Sequence, residues 1–82
     1  NPFNQRTVIE FALPENSLVM LEIYDVLGRK VKTLLSEYLN AGYKAVDWDG
    51  CDDRGIPVAS GIYFYSIKSR DFADSKKMIL LK

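Results

Sequence analysis

The stretch Gly55-Ile56-Pro57-Val58-Ala59-Ser60-Gly61-Ile62-Tyr63-Phe64-Tyr65 constrains this chain more than any other. A glycine, a proline and a second glycine run straight into β-branched and aromatic residues. Such side chains suit a pleated surface, so the sequence predicts a strand over residues 62–67. Alternation puts Ile62 and Phe64 on one face, and Tyr63, Tyr65 and Ile67 on the other. A strand that is apolar on both faces belongs inside a sheet, with a neighbour on each edge.

Other strands must pack around it. Residues 7–13 alternate, with Ile9, Phe11 and Leu13 on one face and Glu10 on the other, as in a half-buried strand. Pro14-Glu15-Asn16 breaks that run. Residues 18–25 repeat the pattern with Val19, Leu21 and Ile23 inward and Glu22 outward. The short connection predicts that these two strands are antiparallel neighbours. Val26-Leu27-Gly28-Arg29 reads as a turn in which Gly28 supplies a positive φ. Residues 30–35 read as a third strand, with Val31, Thr33 and Leu35 on one side. The spacing of Val31, Leu34, Leu35 and Tyr38 leaves a helix over residues 30–38 open. After the turn Asn40-Ala41-Gly42, residues 43–48 form a strand with Val46 and Trp48 on one face. Residues 49–55 make an aspartate- and glycine-rich turn. Ser69-Arg70-Asp71 is a hairpin tip, and residues 72–81 are the last strand. Met78 and Leu80 alternate there with equally apolar Ile79 and Leu81, which predicts cover on both sides.

The tally is an all-β chain: an immunoglobulin-like antiparallel β-sandwich of about seven strands. Its 82 residues make a single domain, 1–82, with no internal repeat, linker or low-complexity stretch. Burying enough surface at this size needs a dense core, and a composition that is 48% hydrophobic and 12% aromatic provides one. Eleven basic and eleven acidic side chains cancel, which argues against a nucleic-acid partner. No apolar run is long enough for a membrane-spanning helix. The abrupt opening at Asn1 predicts a piece of a longer protein, so the lack of a signal peptide says nothing of export.

Catalytic chemistry is poorly supplied. There is no histidine to act as a base near neutral pH. Ser60 sits in Ala59-Ser60-Gly61, outside the pattern of a nucleophile elbow, and reads as a turn hydroxyl. Cys51, the one cysteine, stands beside Asp52 and Asp53, whose charge disfavours a thiolate; it reads as an exposed thiol of no function. Asp47, Asp49, Asp52 and Asp53 have oxygen ligands for Ca²⁺, but Cys51 falls where a further acidic ligand would be needed and the closing glutamate is absent. They read as caps of a turn. The expectation is a non-enzyme with no metal, cofactor or small-molecule substrate. A carbohydrate surface would need Tyr43, Tyr63 or Tyr65 to be exposed together. Trp48 reads as core.

The order of motifs resembles the type A C-terminal sorting domains of the bacterial type IX secretion system. These are related in turn to the immunoglobulin-like module of flagellar hook-capping proteins. The matching segments are Asn1-Pro2-Phe3-Asn4, Tyr24-Asp25-Val26-Leu27-Gly28-Arg29, Trp48-Asp49-Gly50, Pro57-Val58-Ala59-Ser60-Gly61-Ile62-Tyr63 and Lys76-Lys77-Met78-Ile79-Leu80-Leu81-Lys82. Gln5 stands where the family commonly has proline, and Cys51 where it commonly has a polar residue. The resemblance implies a C-terminal targeting module of a secreted or cell-surface protein, carried through the periplasm and read by proteins of the outer-membrane secretion machinery. It places the signal on Lys76, Lys77, Met78, Ile79, Leu80, Leu81 and Lys82. Composition alone makes Lys76 and Lys77 guards of an edge strand. The resemblance makes them part of a strand offered to a partner. The other reading it carries is a passive structural or interaction domain, as in the hook-capping relatives, or an accessory domain of a secreted enzyme.

Overall fold

A computed structural model describes residues 7–70 and 73–81. Six strands cover most of them: β1 (Thr7–Leu13), β2 (Ser17–Tyr24), β3 (Lys30–Leu39), β4 (Gly42–Trp48), β5 (Gly61–Lys68) and β6 (Ala73–Leu80). Every pairing is antiparallel. β1 and β4 form one sheet, and the other runs β3-β2-β5-β6. The strand of residues 62–67 is therefore interior, flanked by β2 and β6 as its composition requires.

Five of the six strands send inward-facing residues into one core between the sheets. Ile9 and Leu13 come from β1, Val19, Leu21 and Ile23 from β2, and Trp48 from β4. Tyr63 and Ile67 come from β5, and Leu80 from β6. The Trp48 and Tyr63 rings meet edge to face, centroids 5.2 Å apart and planes at 72°. The Trp48 indole Nε1 donates to the Cys51 carbonyl at 2.9 Å. The Tyr63 hydroxyl donates to the Ala59 carbonyl at 2.7 Å. That bond ties the entry of β5 to the strand itself, as the tyrosine corner does in immunoglobulin sandwiches.

Several expectations change. β1 and β2 are not neighbours. Pro14-Glu15-Asn16 crosses between the sheets, so the two strands face each other across the core. A hairpin and a crossover bury the same alternate residues, and alternation cannot tell them apart. The described residues hold six strands rather than about seven. Between β4 and β5 only an isolated bridge, Cys51 to Pro57, takes ladder geometry, because proline and the turn glycines deny a longer one.

β3 is a strand throughout, and the apparent helical spacing has a different origin. Leu21 lies opposite Leu35 and Glu22 opposite Thr33, leaving Leu34 as an extra residue. Ile23 lies opposite Lys32 and Tyr24 opposite Lys30, leaving Val31 extra. These two bulges break the two-residue period and let Val31, Leu34 and Leu35 all pack on the core. Thr33 does not share their side; it pairs with Glu22. Phe64 is half-buried on the outer face of β5 rather than in the core. β6 is not covered on both sides: Leu80 is 1% exposed, whereas Ile79 and Leu81 are 59% and 68% exposed.

Candidate functional site

Two loops with the same hydrogen bonding stand at the bulged end of β3. In the first, Asp25 Oδ1 accepts from the amides of Leu27 and Arg29, both at 2.9 Å. In the second, Asp52 Oδ1 accepts from the amides of Arg54 and Ile56 at 2.9 and 3.0 Å. Each aspartate amide donates to the carbonyl four residues on, and each aspartate carbonyl accepts from the glycine three residues on. Those glycines, Gly28 and Gly55, have φ of 80° and 81°. Each loop adds an ion pair: Arg29 Nε to Asp25 Oδ2 at 2.9 Å, and Arg54 Nη2 to Asp52 Oδ2 at 3.0 Å. The signal was in the sequence as a repeated Asp-x-x-Gly, at Asp25 with Gly28 and at Asp52 with Gly55. Amide donation holds both carboxyls below the usual carboxylate range: the Arg29 amide leads at Asp25, and the Ile56 amide at Asp52.

Three of the four aspartates weighed as metal ligands, Asp49, Asp52 and Asp53, thus bind backbone amides. Asp49 Oδ1 accepts from the Cys51 amide at 3.1 Å, and Asp53 Oδ1 from the Thr33 amide at 3.0 Å. Among the described residues no cluster of three or more His, Cys, Asp or Glu could hold a metal ion. Cys51 is half-buried rather than exposed. Ser60 is an exposed loop residue. Tyr43 is 92% exposed while Tyr63 is 7% exposed, and Tyr65 is half-buried, so the three tyrosines form no shared stacking surface. No helix among the described residues is long and apolar enough to cross a membrane.

The second loop also covers a sheet edge. The Asp53 amide donates to the Val31 carbonyl at 3.1 Å, and its carboxylate accepts from the Thr33 amide. Both groups lie on β3, at one outer edge of the four-stranded sheet. At the opposite edge stands β6, which pairs only with β5; no described strand lies on its other side. The candidate recognition residues fall on this strand, and the structure divides them. Lys76, Lys77 and Ile79 are exposed on β6, and Leu81 is exposed just beyond it. Met78 is half-buried against the core and Leu80 is fully inside. Lys82 lies outside the described residues. Antiparallel partners share a face, so Lys77 stands beside Phe64 and Ile79 beside Ile62 on the outer face.

Among the described residues, that outer face holds a buried charge. Glu22 is 9% exposed; its carboxylate accepts from the Tyr24 hydroxyl at 2.9 Å, and Lys30 Nζ stands 3.9 Å away. The bond to Glu22 is the main reason the Tyr24 hydroxyl titrates above its ordinary range. Burial first, and the Asp25 charge second, push Tyr63 the same way.

Comparison with known proteins places this geometry. The chain matches the FlgD Ig-like domain over residues 3–71. No curated protein matches it. Among solved structures, FlgD from P. aeruginosa is 22% identical with a TM-score of 0.74, over 94% of this chain and 60% of that one. FlgD from Xanthomonas campestris, described as a hook-capping protein essential for flagellar assembly, is 27% identical with a TM-score of 0.72. That match covers 94% of this chain and 56% of that one. Dimeric latent PorU from Porphyromonas gingivalis shares the fold at 24% identity and a TM-score of 0.69, over 96% of this chain and 8% of that one. The chain thus spans 60% or less of each of these structures. With the family matched over most of the chain and the sandwich reproduced, this chain belongs to the FlgD Ig-like domain family.

Proposed function

We propose that this chain is a non-catalytic immunoglobulin-like module of a longer protein, which joins protein partners along the open edge of β6. The supporting observation is the contrast between the two outer edges of the large sheet. β3 has backbone groups occupied by the Asp53 loop, whereas no described strand pairs with the outer side of β6. A partner strand can extend that row, and Lys76 and Lys77 supply charge that orients the encounter. On this reading the partners are proteins, with no nucleic acid, small-molecule substrate or cofactor. Hook capping, the role described for the X. campestris relative, would likewise be played through protein contact.

A second reading makes the same edge an export signal for type IX secretion, leaving the parent protein at the cell surface or outside the cell. The motif series ending in Lys76-Lys77-Met78-Ile79-Leu80-Leu81-Lys82 favours it. One experiment separates the two. A cargo is fused to the domain in a host with this secretion system, and surface exposure is read by protease accessibility. Lys76→Glu with Lys77→Glu keeps the strand length and the buried Leu80, and a melt of the isolated variant confirms folding. Deletion of residues 76–82 is the harsher companion. Cargo trapped in the periplasm by the folded double variant supports the export signal. Unchanged export by that variant and the deletion, with both folded, removes it and leaves the structural module. Export unchanged and partner binding unchanged in the parent protein would overturn the role of the β6 edge altogether.

A further inference from the structure

We propose that the outer face of the large sheet carries a second binding site, a groove along β2 that takes an extended partner segment with a large apolar side chain and an acidic one. The groove has a volume of about 500 Å³ and lies at the end of the sheet away from the twin aspartate loops. Its floor is Leu18 and Met20 of β2. Tyr38 of β3 forms one wall, and Lys68 and Arg70 at the end of β5 form the other. The register makes this arrangement: Tyr38 is opposite Leu18, and Lys68 is opposite Met20.

The apolar lining is open to solvent. Leu18 is 57% and Tyr38 65% exposed, side by side. Adjacent apolar side chains left open in this way mark contact surfaces. The groove is also anchored at its rim. Asn16 Oδ1 accepts from the Ala41 amide at 2.7 Å, pinning the β1–β2 connection to the β3–β4 turn.

Charge selects the occupant. Lys68 and Arg70 make no ion pair with another described residue. Glu22 lies one outward-facing position along β2, but Tyr24 and Lys30 already engage its carboxylate. Among the described residues no carboxylate pairs with this basic wall, and its charge favours a carboxylate on the occupant. The aliphatic floor favours a side chain over a sugar ring, which stacks on flat aromatics, and Met20 can adapt to its shape. Two cations on a chain of zero net charge are too few for a nucleic-acid backbone. In an extended segment, residues two apart share a face about 7 Å apart. Lys68 stands two strands across and two residues along from Tyr38, about 12 Å away. An apolar residue seated between Tyr38 and Leu18 thus puts an acidic side chain two positions on within reach of Lys68.

The test uses the whole chain and amidated pentapeptides, followed by amide chemical shifts. The probes are Ser-Phe-Ser-Asp-Ser, Ser-Phe-Ser-Lys-Ser and Ser-Ser-Ser-Asp-Ser. The first should give saturable shifts at Leu18, Met20, Tyr38 and Lys68 and bind about tenfold tighter than either of the others. Lys68→Glu with Arg70→Glu, both at exposed positions, should reverse the preference between the Asp and Lys peptides. Leu18→Ser should abolish binding of both. A melt of each variant confirms that the sandwich is intact, and if the double reversal does not fold, Lys68→Glu alone must narrow the preference. No saturable shift at these residues, or a preference indifferent to the charge change, overturns the proposal. β6 takes no part in the groove, so failure here leaves the edge reading untouched, and the reverse holds as well.

Discussion

Trp48 is the residue on which most depends. It is fully buried, donates from its indole to the Cys51 carbonyl and meets Tyr63 edge to face. Trp48→Ala should cost about 3–5 kcal/mol, enough to unfold much of a marginal domain; a denaturant melt showing a loss under about 1 kcal/mol would refute its core role. The burial of Trp48, Ile9 and Leu21 was legible, since alternation with apolar neighbours is visible in a single strand. The twin loops were written just as locally but had to be read as a pair. In both, a glycine at φ near 80° lets an aspartate carboxylate curl back over its own turn. Space is open around Gly28 and Gly55, so an added Cβ meets no neighbour and only the backbone angle resists it. Gly28→Ala and Gly55→Ala should each cost about 1–2 kcal/mol, the penalty of a left-handed residue with a Cβ. Thermal or urea melts would show it, and an unchanged midpoint would mean the loops can reshape.

At the scale of the element, β6 and β3 mark where a one-dimensional pattern stops being enough. In β6 both alternate sets are apolar, and composition offers no choice between them. The structure turns Leu80 inward, opposite Gly61, and leaves Ile79 on the outer face opposite Ile62. Leu80→Ala should therefore cost about 2–5 kcal/mol, while Ile79→Ala should stay within about 0.5 kcal/mol. Equal losses in chemical denaturation would contradict this orientation. In β3 the period itself is broken. Bulges at Val31 and Leu34 turn consecutive residues toward the core, which on paper looks like the spacing of a helix. A bulge depends on the partner strand, so β3 alone cannot reveal it.

For the whole molecule, the ionisable groups set a window of stability. Asp25 and Asp52 have folded pKa values lowered from 3.8, so their contribution is present above that value and is lost as pH falls through the lower folded values. Tyr24 and Tyr63 are raised from 10.0, so theirs is present below that value and is lost as pH climbs through the higher folded values. The melting temperature should form a plateau near neutrality and fall at both ends. Asp25→Asn with Asp52→Asn should lower the plateau and flatten the acid limb, and Tyr63→Phe should flatten the alkaline one. Limbs unchanged in these variants would assign the pH dependence to other groups. The sequence by itself determined the inward faces of β1 and β2, the inward turn of Trp48, the all-β class and the interior place of residues 62–67, because alternation and turn residues act within a few positions of one another. Only the tertiary structure decided that β1 and β2 lie in opposite sheets, that the Asp53 loop covers β3 while no described strand pairs with the outer side of β6, and that Tyr38, Leu18 and Lys68 line one groove across three strands. Those facts depend on which distant segments pair and in what register, and a single strand's residues meet the same burial requirement under either pairing.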